Sequence, residues 1–558
     1  MSPDNDSSDS RPKSNRRDFL KRTALTTAAA AASPMAFAAP ADPRHGLPPT
    51  FSIDFELDEL EISDLAARMA SGEESARSIT EKYLARIEET NLRGPELRAV
   101  IETNPDALRI ADELDAERTA GGPRGPLHGI PILLKDNIGT ADRMTTTAGS
   151  YALEGSIPSE DSFVAQRLRA AGAVLLGKAN LSEWANFRST HSTGGWSGRG
   201  GLCRNPYALD RNACGSSTGS GVAVSANLCA AAIGTETDGS VVCPSSIAGI
   251  VGIKPTVGLI GRSGIIPLAH SQDTAGPMAR TVADATILLG ALTGLDPRDE
   301  ATGPSEPHIQ TDYTQFLDPD GLKGARIGAA RKYLGRHPEV DRIFEHTLES
   351  LREAGAAVID PADLPTHGTW GDAEGIVLRY EFKADINNYL KSLGPLAPAK
   401  TLEDLIRFNE EHADLEMPYF RQELFHQSQE KGPLTDQEYL DALETCRRLT
   451  RAEGIDAVMN EHSLDAIVAP TTLMAWTNDL IQGGHRSGGS SSAAAVSGYP
   501  SITVPSGYVF GLPVGLLFFG RPWSEGKLIS LAYGFEQTTR VRRKPEFLPT
   551  ADLALSNK

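Results

Sequence analysis

The chain predicts an α/β fold, and three observations carry that reading. Short apolar runs recur at 132–134, 174–176, 466–470 and 512–519, as in strands buried on both faces. Residues 325–359 run strand, helix, strand: 325–329, then a helical stretch near 340–354, then 356–359. No internal repeat and no linker divides the 558 residues, so one large domain is expected from 39 to 558.

The formal net charge is −19 and the pI is near 5.2. That argues against a nucleic-acid partner, which needs clustered Lys and Arg. The plain reading of the acidity is solubility. Residues 1–38 read as an export signal. Ser14-Asn-Arg-Arg-Asp-Phe-Leu-Lys21 follows the twin-arginine pattern, a weakly apolar run covers 23–32, and Ala36-Phe-Ala38 precedes a cut after Ala38. The run is too short and too Ala-rich to anchor in a bilayer, and no later segment offers 18 uninterrupted apolar residues. A periplasmic or secreted protein without a stable membrane anchor is therefore expected.

Five cysteines are present: Cys203, Cys214, Cys229, Cys243 and Cys446. None forms a Cys-x-x-Cys pair and the number is odd, so neither a disulfide framework nor a zinc site is expected. They read as small buried apolar residues, although an oxidising compartment leaves room for one disulfide.

In chain order, 51–91 has a helical pattern. Ser71-Gly-Glu-Glu74 fits a capping box, and Ile79, Tyr83, Leu84 and Ile87 form one apolar stripe. Residues 121–126 are a loop. Gly129-Ile-Pro-Ile-Leu-Leu-Lys135-Asp-Asn-Ile138 is a buried strand that ends in a lysine. Burying an ammonium costs several kcal/mol unless it is paired or neutralised. Lys135 therefore either snorkels to the surface or does chemistry. Residues 172–179 approach the pattern G-x-x-x-x-G-K-[ST], but Ala179 lacks the metal-binding hydroxyl and the interior reads as a strand. Residues 249–255 form another strand, while 265–267 and 273–277 read as turns. Residues 281–294 are helical, and 295–321 are a loop. Residues 370–455 are helical and polar, a cap over a cleft to which no chemistry is assigned. Residues 483–492 are a Gly/Ser loop, 499–505 and 512–519 are central strands, and 525–537 are a closing helix.

The stretch from Gly215 to Ser240 organises the rest. It reads Gly-Ser-Ser-Thr-Gly-Ser-Gly, then a small apolar run over 222–233, then Gly234-Thr-Glu-Thr-Asp-Gly-Ser240. An Ala-rich connector of this length predicts a buried helix, with Ser216 and Ser240 in glycine turns beside free N–H groups. Serine needs a base to become nucleophilic. A lysine whose pKa is lowered by burial can be that base, which nominates Lys135. The alternative is Ser217 with a histidine, since Gly215-Ser-Ser217-Thr-Gly219 formally fits a G-x-S-x-G elbow. That elbow needs a strand directly before it, and 204–213 is not a convincing one.

These motifs resemble the amidase signature family over about 55–540. The resemblance rests on Gly129-Ile-Pro-Ile-Leu-Leu-Lys-Asp-Asn, Gly215-Ser-Ser-Thr-Gly-Ser, Gly234-Thr-Glu-Thr-Asp-Gly-Ser, Gly252-Ile-Lys-Pro-Thr and Leu512-Pro-Val-Gly-Leu. It implies a central mixed β-sheet with helices on both faces and a Ser-Ser-Lys triad. Ser240 is then the nucleophile, Ser216 the bridge on a cis peptide, and Lys135 the base. The turn of Thr237, Asp238 and Gly239 becomes the oxyanion-binding element. Lys178 and Lys254 are then structural. No metal or organic cofactor is implied.

Four positions depart from the general pattern. Cys214 and Thr218 stand for glycine, Asp238 for glycine, and Val242 for arginine, which leaves Glu236 without its expected partner. The run from Thr235 to Pro244 and the run 530–537 are similar to the bacterial peptide-amidase subgroup. The expected reaction is hydrolysis of linear carboxamides, with peptide C-terminal amides preferred. The alternatives are a glutamine-processing amidotransferase component, which acidity and export oppose, and a non-catalytic binder on the same fold, which intact Lys135, Ser216 and Ser240 oppose.

Overall fold

A computed structural model describes residues 54–394, 397–484 and 488–553. The proposed export segment, 1–38, lies outside the described residues.

Eleven strands form one mixed sheet. In chain order they are β1 (Val100–Thr103), β2 (Pro131–Lys135), β3 (Val174–Ala179), β4 (Ala231–Glu236), β5 (Val251–Lys254), β6 (Thr274–Ala279), β7 (Arg326–Ala329), β8 (Ala357–Ile359), β9 (Ala466–Pro470), β10 (Ser501–Val509) and β11 (Leu512–Phe519). Their spatial order is β1-β3-β2-β4-β6-β5-β10-β11-β9-β7-β8. β2 runs parallel to both β3 and β4, with Leu134 opposite Ile233. β4, β6, β5, β10 and β11 continue antiparallel, and β7 is parallel to β8 and β9. Helices flank this sheet, as the α/β expectation required. Every residue of β2, β3, β4, β6 and β11 is buried, which is why β2, β3 and β11 read as apolar runs rather than alternating ones.

Three local readings are corrected. Helix α1 (Ile62–Ser71) ends at Ser71, with Gly72 at φ +79° closing it. The cap of α2 (Ala76–Thr90) is Ser75, whose hydroxyl accepts from the Ser78 N–H. Ser71 therefore ends one helix instead of starting the next. Second, 222–233 is not one helix. It holds the end of α3 (Thr218–Ser225), a turn with Asn227 at φ +57°, and the start of β4. Ala and Val suit both states once fully buried, so composition could not divide them. Third, 273–277 is not a turn, because Thr274–Pro277 lie in β6. The strand expected at 174–176 is present, as residues 174–179 form β3, and no phosphate loop lies there.

Candidate active site

The site lies at the ends of β2 and β4, where parallel neighbours deliver side chains to one edge of the sheet. Lys135 is the last residue of β2 and is 0% exposed, so it does not snorkel. The chain enters α3 from Ser216 and Ser217, returns through β4, and passes through the turn to Ser240 before helix α4 (Val242–Ile247). A helix followed by a returning strand thus carries both serines to the same end of the sheet. The close packing is visible at Gly234, where a Cβ would stand 2.6 Å from Ser217 Oγ. Gly239 has φ +77°, a conformation that side chains rarely adopt.

Lys135 Nζ lies 2.7 Å from Ser216 Oγ, 2.8 Å from Thr235 Oγ1 and 3.1 Å from the Thr235 carbonyl. Burial drives its pKa from 10.5 to about 7, against the pull of Asp273 and Glu236. A neutral amine has two N–H bonds and one lone pair. The two Thr235 oxygens can accept both N–H groups, which leaves the lone pair for the Ser216 hydroxyl to donate into. Thr235 is itself held by Asn137, whose Nδ2 donates to Thr235 Oγ1 at 3.0 Å. A cis peptide joins Gly215 to Ser216.

Ser240 stands against this turn: its carbonyl accepts the Ser217 N–H at 3.1 Å. Among the described residues its hydroxyl makes no hydrogen bond, and the residue is 8% exposed. The structure therefore brings Lys135 and Ser216 into contact and ties the Ser240 backbone to Ser217, the residue next to Ser216 in the chain. Ser217 is engaged elsewhere. It donates to the Thr235 carbonyl and accepts the Thr235 N–H, at 3.0 and 3.1 Å, and no histidine bonds it among the described residues. The Ser–His elbow has no support.

Lys178 and Lys254 are equally buried, and burial lowers both to about 8. Their partners differ from those of Lys135. Lys178 Nζ donates to the Ile138 carbonyl and Thr146 Oγ1; Lys254 Nζ donates to the Tyr499 and Pro255 carbonyls. Neither meets a serine.

Glu236 does find partners. Its Oε2 accepts the N–H groups of Val241 and Val242 at 2.7 and 3.0 Å, so a helix N-terminus takes the place of the missing arginine. Thr237 Oγ1 donates to Asp273 Oδ1 at 2.5 Å. Asp238 accepts from Ser491 at 2.6 Å. A disulfide joins Cys214 to Cys243, with Cα atoms 6.1 Å apart, and ties the approach to Ser216 to the helix after Ser240. Cys203, Cys229 and Cys446 are free and buried.

A cleft of about 570 Å³ opens over this floor. Gly215, Asp238, Gly239 and the disulfide line it from below, and Glu374, Leu378 and Arg379 of the long helix α5 (Gly371–Ser392) line it from above. From the range 370–455, residues within 371–379 and Leu424 contribute to the lining of the cleft. Sequence reasoning missed Glu374 and Thr235 as site residues. Thr235 could have been found from its place in the Gly234–Ser240 motif, but Glu374 sits in a polar helix and carries no signal.

A sequence model of the amidase family matches residues 78–529, and the chain belongs to that family, the amidase signature enzymes. It is similar to the crystal structure of a native peptide amidase from Stenotrophomonas maltophilia, with 52% identity and a TM-score of 0.85 over 88% of this chain and all of that one. A peptide amidase in complex with the competitive inhibitor chymostatin matches at 53% identity, TM-score 0.86 and the same coverage. Among relatives known from sequence, a probable amidase of Arabidopsis thaliana is 43% identical over 89% of this chain and 93% of its own length. A glutamyl-tRNA(Gln) amidotransferase component from Alkalilimnicola ehrlichii is 33% identical over 87% of this chain and 98% of its own. The protein is an amide-hydrolysing enzyme.

Proposed function

We propose that the enzyme hydrolyses the C-terminal carboxamide of peptides through an acyl-enzyme on Ser240. Ser240 Oγ attacks the amide carbon, and its proton passes through Ser216 to neutral Lys135. The backbone N–H groups of the Thr237–Gly239 turn receive the oxyanion; losing one such donor typically costs ~10²–10³ in rate. Lys135 then gives the proton to the departing ammonia through the same hydroxyl. Water attacks the acyl-enzyme, its proton returns along the relay, and the acid leaves.

The observation that carries this reading is the 2.7 Å contact between a fully buried lysine and Ser216, with both Thr235 oxygens also in reach of that lysine. The unbonded Ser240 hydroxyl does not oppose this reading, since catalytic hydrogen bonds commonly tighten only in the reacting complex. Similarity to peptide amidase structures over their whole length supports the substrate class. A panel of peptide amides, short aliphatic amides, aryl amides and glutamine tests it. Peptide amides should show the highest kcat/KM; preference for glutamine would favour the amidotransferase-like reading instead. Ser240→Ala should abolish turnover with the fold intact.

Export by the twin-arginine route belongs to the same proposal, and a disulfide on the cleft floor suits an oxidising compartment. Replacing Arg16 and Arg17 with lysine should retain the protein in the cytoplasm on fractionation. Unchanged export would remove that part.

A further inference from the structure

The turn that carries Ser240 is tied to the cap as well as to the sheet. Asp238 accepts from Ser491 at 2.6 Å, and it lines the same cleft as Glu374 of α5, near enough that each carboxyl acts on the other. A second tie runs beside the first: Gln272 Nε2 lies 3.2 Å from the Thr237 carbonyl and 3.1 Å from Glu374 Oε1. Gln272 thus bridges the cap helix to Thr237, and Glu374 and Asp238 face the same cleft.

Two ionised carboxylates are acceptors only. A hydrogen bond between them requires one proton, and two bare charges in that position would repel. We propose that Asp238 and Glu374 share a proton, and that this shared proton holds the cap helix against the Ser240 turn, making Glu374 a positioning residue of the active site. This rests on Ser240 being the nucleophile. It adds a second titration to the one expected from Lys135: loss of the shared proton at alkaline pH should loosen the turn.

The surroundings favour the protonated pair. Burial raises both carboxyls, Glu374 to about 8 with Asp238 adding to the effect. The charges and titratable groups around the pair are few. Lys254 draws Asp238 down, and Glu236 opposes it with like charge. Arg379, one turn along α5, is spent on the Gly375 carbonyl and Gln427. Tyr333 and Cys446 are raised by burial and stay neutral across the working range.

The test pairs activity with a spectroscopic readout. In the wild type, kcat should fall as pH rises through about 8. Glu374→Gln supplies an N–H donor to Asp238 at every pH, so its alkaline limb should move up by about one unit or more. Glu374→Ala should lower kcat about tenfold at pH 7, more than it changes KM. Independently of turnover, difference infrared spectra between about pH 7 and pH 10 should show a protonated-carboxyl band lost in the wild type and missing in Glu374→Gln. An alkaline limb unmoved in Glu374→Gln, or no band to lose, overturns the pair. If the band behaves as expected but no amide is turned over, the pair stands and the proposed function fails.

Discussion

Lys135 and Lys254 make an instructive contrast. Each closes a strand of the same sheet, each is fully buried, and burial lowers each well below 10.5. Lys254 ends among backbone carbonyls, which only accept. Its amine can donate there but has nothing to deprotonate. Lys135 ends against a hydroxyl. Burial makes an amine able to be neutral, but the partner decides whether it can be a base.

Exchanging the two roles breaks the contrast most sharply. Lys135→Ala should lower kcat by ~10²–10⁴-fold, the usual worth of general acid–base catalysis, and should remove the acid limb near pH 7. Lys254→Met leaves two buried carbonyls unpaired and should cost ~1–3 kcal/mol of stability, seen as a lower Tm, while the acid limb stays put. If the Lys254 variant shifted that limb and the Lys135 variant did not, the assignment would be reversed.

A further effect, on stability, comes from the tether peculiar to the Lys135 side. Cys214 and Cys243 bracket the two serines across a sequence separation of 29. Cys243→Ser should cost ~2–4 kcal/mol, and adding reductant to the wild type should reproduce the loss. Equal thermal unfolding with and without reductant would show that the bridge contributes little.

The smallest effect isolates the second partner of Lys135. Thr235→Val removes one acceptor and should reduce kcat/KM by about tenfold. That acceptor favours the charged amine more than the neutral one. Its loss should therefore lower the pKa of Lys135 and move the acid limb to lower pH. A limb moving upward would contradict the hydrogen-bond count.

How far the sequence reached follows from where its signals come from. Lys135 stood out because a charge at the end of an apolar run conflicts with the cost of burial, and such conflicts are visible in the chain alone. Ser216 and Ser240 stood out through the glycines that let their turns pack. The connector was misread because a fully buried segment has no periodicity, so helix and strand look alike until Asn227 turns the chain. β6 was hidden by Gly276 and Pro277, which usually break strands but here sit inside one flanked by β4 and β5. Glu374 was out of reach: an acidic residue in a polar helix is ordinary until the fold sets it against Asp238.

The most direct measurement is the pH dependence of fluorophosphonate labelling, with the modified residue located by peptide mass spectrometry. The account predicts modification at Ser240, half-maximal near pH 7, and abolished by Lys135→Ala. Labelling elsewhere, or a rate that stays flat down to about pH 4, where any lysine carries its charge, would contradict it.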